Sequence, residues 1–338
     1  MLHKKRAVTI HDVARGAGVS VSTVSRVLNS KGDVASETNE KVQRIVKELG
    51  YASSLAARGM RSHRTNVIGL IMPDVASPYS LEVLRGVNRG IAQLDYHLIV
   101  YTTGDIRKHG TADQERQYVR LLNGSITDGV IVVTPAATDF STDAPLVVID
   151  PNNQSPGAPA IMCDNRAGAL AAMNYLTGLG HRRIGHITGR LELVSACDRL
   201  EGYKDGLAAA GLPLDPDLVQ VGDYLTETAE ACTRTLLALK DPPTAIFAPN
   251  DMSAKGVYQA ARALGLRIPQ DLSVVGFDNL PESVYLDPPL TTIDQFIMDM
   301  GTLATELVVR LLKGEVPEKN LVTIPTQLVI RDSCRPLA

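Results

Sequence analysis

The 338-residue chain repeatedly sets polar residues directly behind short apolar runs. Asp74, Ser77 and Tyr79 follow "VIGLIM", Asp150 follows "LVVI", Asn250 and Asp251 follow "AIFAP", and Asp278 follows "SVVGF". Ser195 and Arg199 open the helical stretch "LVSACDRLEGY", and Tyr224 follows "VGD". Carboxylates accept from adjacent hydroxyls, a guanidinium donates to ring or hydroxyl oxygens, and amides do both. Two carboxylates, one arginine and amides therefore suit a polyol. Arg199 and Asp278 stand out, because a buried charge at either position is costly without a ligand or the other residue beside it. Asp251 has a competing use as the N-cap of "MSAKGVYQAARALG", and Asp150 as an acceptor for backbone donors in "PNNQSPGAP".

The elements that must position these groups begin at Asn66. The runs "VIGLIM", "HLIVYT", "GVIVVT", "LVVID", "RIGHIT", "LVQVG", "TAIFAP" and "SVVGFD" alternate with helical stretches. Strands apolar on both faces and interleaved with helices imply parallel sheets covered on both sides, an α/β body. Eight such strands fit two doubly wound sheets better than one. Ligands bind beyond the carboxyl ends of strands in such sheets, which is where the polar residues stand.

The first 65 residues read differently. In "TIHDVARGAGVSVSTVSRVLN", Thr9 with Asp12 suits a helix start, Gly18 a turn, and Ser20 a second start. Val24, Val27 and Leu28 form the inner face of the second helix and leave Val21, Ser22, Ser25, Arg26 and Asn29 opposite. A third helix is expected over "SETNEKVQRIVKELG", with Ser36 as cap, Val42, Ile45, Val46 and Leu49 as stripe, and Gly50 as stop. Three short helices with a tight turn between the first two make a helix-turn-helix, whose second helix fits the DNA major groove. A three-helix protein-docking domain is the competing interpretation.

Charge favours DNA. Through residue 65 there are 12 Lys+Arg against 5 Asp+Glu, net +7, and the remainder has 22 against 32, net −10. A basic head joined to an acidic body suits a polyanion-binding unit on a part that avoids polyanions. No uncharged apolar run reaches about 18 residues, and no apolar block follows the basic start, so a cytoplasmic protein without membrane contact is expected. The scattered Cys163, Cys197, Cys232 and Cys334 form no C-x-x-C pair, so reduced, mostly buried thiols are expected, with no metal and no cofactor.

The stretches "VTIHDVARGAGVSVSTVSRVLN" and "VASETNEKVQRIVKELGYASSLAARGM" closely resemble the head of the LacI/GalR family of bacterial transcription regulators. The likeness continues through "TNVIGLIMPD", "LGHRRIGHITG", "FAPNDMSAKGVYQAARALGLRIPQDLSVVGFDN" and "PPLTTIDQ", covering nearly the whole chain. It implies a head at 1–52, a hinge helix and linker at 53–65, and a two-lobed, periplasmic-binding-protein-like body at 66–338. The lobes would comprise about 66–163 with 293–321, and 164–292 with 322–338. It further implies that Val21, Ser22 and Arg26 read base edges while Thr23, Ser25 and Asn29 touch phosphates. Arg26 suits guanine O6 and N7, and Val21 a thymine methyl. Asp150, Ser195, Arg199, Asn250, Asp278 and Gln295 would hold an effector, flanked by Tyr79 and Tyr224, and Asp74 joins them by its place behind "VIGLIM".

"SSLAARGMRS" aligns with the family's hinge helix. A helix of about eight residues lies below the roughly 12–15 needed for marginal stability, and Gly59 costs about 1 kcal/mol more. It is expected to form only with DNA and a second subunit. Ala57 would permit close approach, Arg58 would meet phosphate, and Met60 would stand where the family usually has a leucine wedge. The expected partners are a pseudo-palindromic operator, a second copy of the chain, and a small-molecule effector, a sugar first and a nucleoside or purine second. An enzyme is the contrasting class, but no dinucleotide fingerprint, P-loop or nucleophile elbow is present, leaving only a hydrolase built on Asp150 and Asp278. A periplasmic solute receptor would need a signal peptide and no basic head.

Overall fold

The computed structural model describes residues 8–28, 34–51, 64–94, 96–104, 111–123, 126–142, 144–153 and 157–337. The chain divides into two compact units, Met1–Thr65 and Asn66–Ala338.

In the first unit, helices α1 (Ile10–Ala17), α2 (Val21–Leu28) and α3 (Ser36–Leu49) enclose Ile10, Val13, Ala14, Ala17, Val24, Val27 and Val42. The Asp12 carboxylate accepts from the Thr9 N–H (2.9 Å) and hydroxyl (2.7 Å), fixing the start of α1. Gly18 adopts φ +62°, which permits the turn into α2, and the Ser20 hydroxyl accepts from the Thr23 N–H at 3.1 Å. Two details differ from expectation. Ser36 is already helical, and its hydroxyl donates to Glu40 rather than capping. Leu49 is exposed, because α3 needs only Val42, Ile45 and Val46 to cover a core this small.

The second unit contains two six-stranded sheets. The first comprises β1 (Val67–Met72), β2 (His97–Thr102), β3 (Gly129–Val133), β4 (Leu146–Ile149), β5 (Ala160–Cys163) and β11 (Leu321–Ile324), in order β11-β5-β4-β3-β1-β2. The second comprises β6 (Ile184–Ile187), β7 (Val219–Gln220), β8 (Ala245–Phe247), β9 (Ser273–Asp278), β10 (Thr291–Asp294) and β12 (Gln327–Val329), in order β12-β10-β9-β8-β6-β7. All pairings are parallel except β10 with β12. Strands β1, β3, β4 and β9 are buried along their whole length, as runs apolar on both faces require.

Helices α4 (Pro78–Leu94), α5 (Thr111–Leu122), α6 (Asn165–Gly178), α7 (Val194–Ala209), α8 (Thr226–Leu237), α9 (Asp251–Ala263) and α10 (Ile297–Leu312) cover the sheets. Helices α4 and α10 meet backbone to backbone. A Cβ on Gly86 would lie 2.0 Å from the Met298 carbonyl oxygen, and one on Gly301 2.4 Å from that of Val83, so only glycine fits either site. The chain changes sheet after Cys163, after Asp294 and after Ile324. The later two changes fall about two residues beyond the expected 292 and 322, because β10 and β11 run to their ends before leaving their sheets.

Candidate functional site

Each sheet reverses its strand order once, between β1 and β3 in the first and between β6 and β8 in the second. Segments beyond the carboxyl ends of these strands line a cavity of about 540 Å³ between the two lobes. Asp74, Tyr79, Asp150, Ser195, Arg199, Tyr224, Asn250, Asp278 and Gln295 all lie on its wall. The first three come from the β1, α4 and β4 side, and the others from the second lobe and the strand crossing.

Arg199 organises the second-lobe wall. Its Nε donates to Asn165 Oδ1 at 2.8 Å, its Nη1 donates to the Pro249 carbonyl, and the guanidinium lies 3.7 Å above the Phe277 ring centroid. Asp278 Oδ1 stands 3.9 Å from Nη1 and accepts a hydrogen bond from Gln295 Nε2. Gln295 Oε1 in turn accepts from the Cys163 thiol at 3.2 Å, at the end of β5. Tyr224 presents its hydroxyl to Ser195 at 3.2 Å, and its ring lies where a Cβ on Gly189 would come within 2.1 Å. Gly189 therefore makes room for Tyr224.

Asn250, not Asp251, caps α9. Its Oδ1 accepts from the Ser253 N–H at 2.8 Å, and its Nδ2 donates to the Tyr224 carbonyl. The buried Asp251 carboxylate instead accepts from the Leu280 N–H (2.8 Å) and the Thr292 hydroxyl (2.5 Å), tying α9 to the ends of β9 and β10. Asp74 is exposed and folds onto the Ala76 N–H of its own turn at 2.9 Å. His181 sits in the turn between α6 and β6 and bridges Thr244 and Ser273. Cys163 and Cys232 are buried, Cys334 is partly exposed, and Cys197 is exposed.

The wall is strained and electrostatically loaded. Thr134, Asp150, Tyr224 and Asp278 have φ of +43°, +53°, +72° and +115°, a region unfavourable to residues with a Cβ, and such strain concentrates at ligand sites. Burial pushes the Asp150 carboxyl up to about 6 against the pull of Arg199, with no hydrogen bond from the described residues to offset it. Burial also raises the Asp278 carboxyl, while Arg199 and Gln295 pull it down and Asp150 raises it further. A carboxyl that holds its proton more tightly when folded loses stability as pH rises from its ordinary range to the folded value. Asp150→Asn is therefore expected to stabilise the ligand-free protein, with a gain that grows from pH 4 to 6 and reaches on the order of 1–3 kcal/mol at pH 8. Urea denaturation at pH 5 and pH 8 checks it. Destabilisation at pH 8 would mean that the carboxylate is held by a partner.

Among the wall residues that the sequence did not single out are Thr134 and Arg190. Thr134 follows β3, and Arg190 follows β6 with its Nε and Nη2 both on Glu192 Oε1. Each stands beyond a strand's carboxyl end, the position that flagged the others.

On the head, α2 exposes Ser22 and Arg26, while Val21, Thr23 and Ser25 are half-buried and Val21 also packs against the small core. Ser20 links the Ser22 (2.7 Å) and Thr23 (2.9 Å) hydroxyls. Asn29, Ala57, Arg58 and Met60 lie outside the described residues.

Residues 9–54 match the profile of bacterial regulatory proteins of the lacI family, and residues 173–334 that of a periplasmic binding protein-like domain. The HTH-type transcriptional repressor PurR of Vibrio vulnificus is 34% identical over 334 residues, covering 97% of this chain and 98% of that protein. The chain belongs to the LacI family. The ribose operon repressor of Haemophilus influenzae is 36% identical over 330 residues, covering 96% of this chain and 98% of that one. The Lac repressor dimer bound to operator and the anti-inducer ONPF superposes with a TM-score of 0.85 at 27% identity, covering 98% of this chain and all of that one. This LacI-family protein is a DNA-binding transcriptional regulator and not an enzyme. No helix among its described residues is long and apolar enough to cross a membrane.

Proposed function

We propose that this regulator is a cytoplasmic repressor of carbohydrate-utilisation genes whose operator binding is set by a neutral sugar in the inter-lobe cavity. The observation that carries this is the convergence of Asp150 from the first lobe with Asp278 and Arg199 from the second on one cavity. Acceptor carboxylates beside a donor arginine match adjacent hydroxyls on a small ring. The cavity is walled by both lobes, so an occupant that touches both binds best at the lobe separation that lets it do so. Such a preference is what couples a ligand to a remote DNA site.

The head is taken as 1–52, the hinge and linker as 53–65, and the body as the remainder, with two copies meeting a pseudo-palindromic operator through matching two-fold symmetry. Val21, Ser22 and Arg26 are assigned to base edges, and Thr23, Ser25 and Asn29 to phosphates. The effector contacts are assigned to Asp150, Ser195, Arg199, Asp278 and Tyr224, with Asp74, Tyr79, Asn250 and Gln295 as supporting wall. Asn250 and Gln295 each have both ends of the amide engaged already, which favours holding their neighbours over holding a ligand.

Thermal shift of the full-length protein against D-ribose, D-xylose, D-glucose, cellobiose, adenosine and hypoxanthine tests the reading. A duplex selected from a random library then serves in DNA titrations. A sugar should raise the melting temperature and change duplex affinity about 5- to 150-fold. A shift by hypoxanthine or adenosine alone would replace the sugar with a purine ligand. No shift by any compound, with duplex affinity unchanged, would sink the sensor.

A further inference from the structure

Seven buried side-chain polar atoms lack a hydrogen-bond partner among the described residues, and three of them, Tyr79 Oη, Thr134 Oγ1 and Arg190 Nη1, belong to residues that line the cavity and lie just beneath its surface. A buried donor left unpaired carries its full desolvation cost, so such atoms are rare and call for an occupant. Tyr79 and Thr134 belong to the first lobe, near one another but outside hydrogen-bond geometry. Arg190 belongs to the second. Glu192 Oε1 accepts from both its Nε (2.8 Å) and its Nη2 (2.5 Å), which fixes the plane of the fork and leaves the third nitrogen unused. Arg199 differs, since its Nε and Nη1 donate to Asn165 and the Pro249 carbonyl and none of its nitrogens is buried without a partner among the described residues.

We propose that Arg190 is a specificity-determining residue of the cavity, whose Nη1 edge, with the Tyr79 and Thr134 hydroxyls, reads oxygen atoms of a neutral polyhydroxylated ligand. This rests on the effector reading above and deepens it. A guanidinium offers only donors, so its partner must be an acceptor. Asp150 and Asp278 require donors from the same ligand. Hydroxyl groups are both at once, whereas a purine ring fixes its donors and acceptors in place.

Charge decides between a free sugar and an anionic one. Glu192 already compensates Arg190, and Asp74, Asp150, Asp223, Glu227 and Asp278 line the cavity against Arg190 and Arg199. A phosphate or carboxylate would meet an excess of negative charge in a low-dielectric site. Because the unpaired atoms lie on both lobes, a ligand that satisfies all three bridges them.

Isothermal titration of the full-length protein with D-ribose, D-xylose, D-glucose, cellobiose and D-ribose 5-phosphate tests the inference, comparing wild type with Arg190→Met, Arg190→Lys and Thr134→Val. The sugar that wild type binds tightest serves as probe. Arg190→Met should weaken it about tenfold to a hundredfold, a range set by loss of a hydrogen bond to a charged donor. Arg190→Lys should fall between the two, and the order of preference among the sugars should change. A merely structural role would lower the ligand-free melting temperature without reordering preference. Arg190→Met and Arg190→Lys binding within twofold of wild type, with the same order of preference, overturns the inference and leaves the effector reading standing. Wild type binding none of the sugars overturns both. D-ribose 5-phosphate binding more tightly than D-ribose overturns the neutral ligand. If Arg190→Met does not fold, Arg190→Lys and Thr134→Val decide by the same criteria.

Discussion

Arg199→Met is expected to lower the unfolding free energy by about 3–5 kcal/mol at pH 8 and to abolish any effector-induced change in DNA affinity. The size follows from what the guanidinium holds. Its loss leaves Asn165 Oδ1 and the Pro249 carbonyl without their donor, removes the stack on Phe277, and strips Asp278 and Asp150 of their nearest positive charge. Methionine fills much of the volume, so the loss reports charge and hydrogen bonding more than a cavity.

The pH dependence separates the two contributions. Both carboxyls bind protons more tightly folded than unfolded, so each makes stability fall as pH rises from its ordinary value to its folded value, and no further. In wild type the Asp150 fall ends near pH 6. Without Arg199 the folded values of both carboxyls move higher, and the fall continues past that point. Stability curves of wild type and variant should therefore run parallel up to about pH 6 and diverge above it. Urea melts between pH 5 and 9 check this. A constant gap would mean that the carboxylates do not feel Arg199, and would undo the assignment of a shared electrostatic site.

The strands that could be read in advance were those whose burial is written into their own residues. Val67–Met72, Gly129–Val133, Leu146–Ile149 and Ser273–Asp278 are continuous apolar or small runs, buried on both faces. Four strands were not anticipated, and their reasons are long-range. Thr291 and Thr292 in β10 look like loop residues until Ser333, Arg331 and Asp251 supply their hydrogen bonds from about 40 residues away. Strands β11 and β12 are short, partly exposed edges that exist because a neighbour pairs with them. Strand β5 is four residues behind a proline- and glycine-containing loop.

The cavity wall was legible by a positional rule, since polar groups behind buried strands have nowhere to lie except the crevice. Which of them are already engaged was not legible. Asn250 and Asp251 are adjacent and both can cap, and only packing against Tyr224, Leu280 and Thr292 decides between them. Arg190 escaped for a related reason: beside Glu192 it reads as one more surface ion pair, and only burial shows that one of its nitrogens is left over.

The second large effect concerns the head. Arg26→Ala is expected to cut discrimination between the selected duplex and random DNA about tenfold to a hundredfold, the worth of one bidentate arginine–guanine contact of roughly 1–3 kcal/mol. Arg26 is exposed in the last turn of α2, one turn on from Ser22, while Val24 and Val27 on the opposite side are fully buried in the head's core. The substitution removes reach into the groove without opening the core. Binding to random DNA should weaken far less, because that component comes from many phosphate contacts and the variant loses at most one. The two terms separate in salt titrations of both duplexes. The selected-duplex affinity should drop at every salt concentration, and its slope against log salt should shift by no more than about one ion. Val24→Ala supplies the contrast, since a cavity in so small a core should lower the head's melting temperature and weaken both duplexes together. An Arg26→Ala protein that keeps the wild-type ratio between the duplexes would remove α2 from its place as the reading helix.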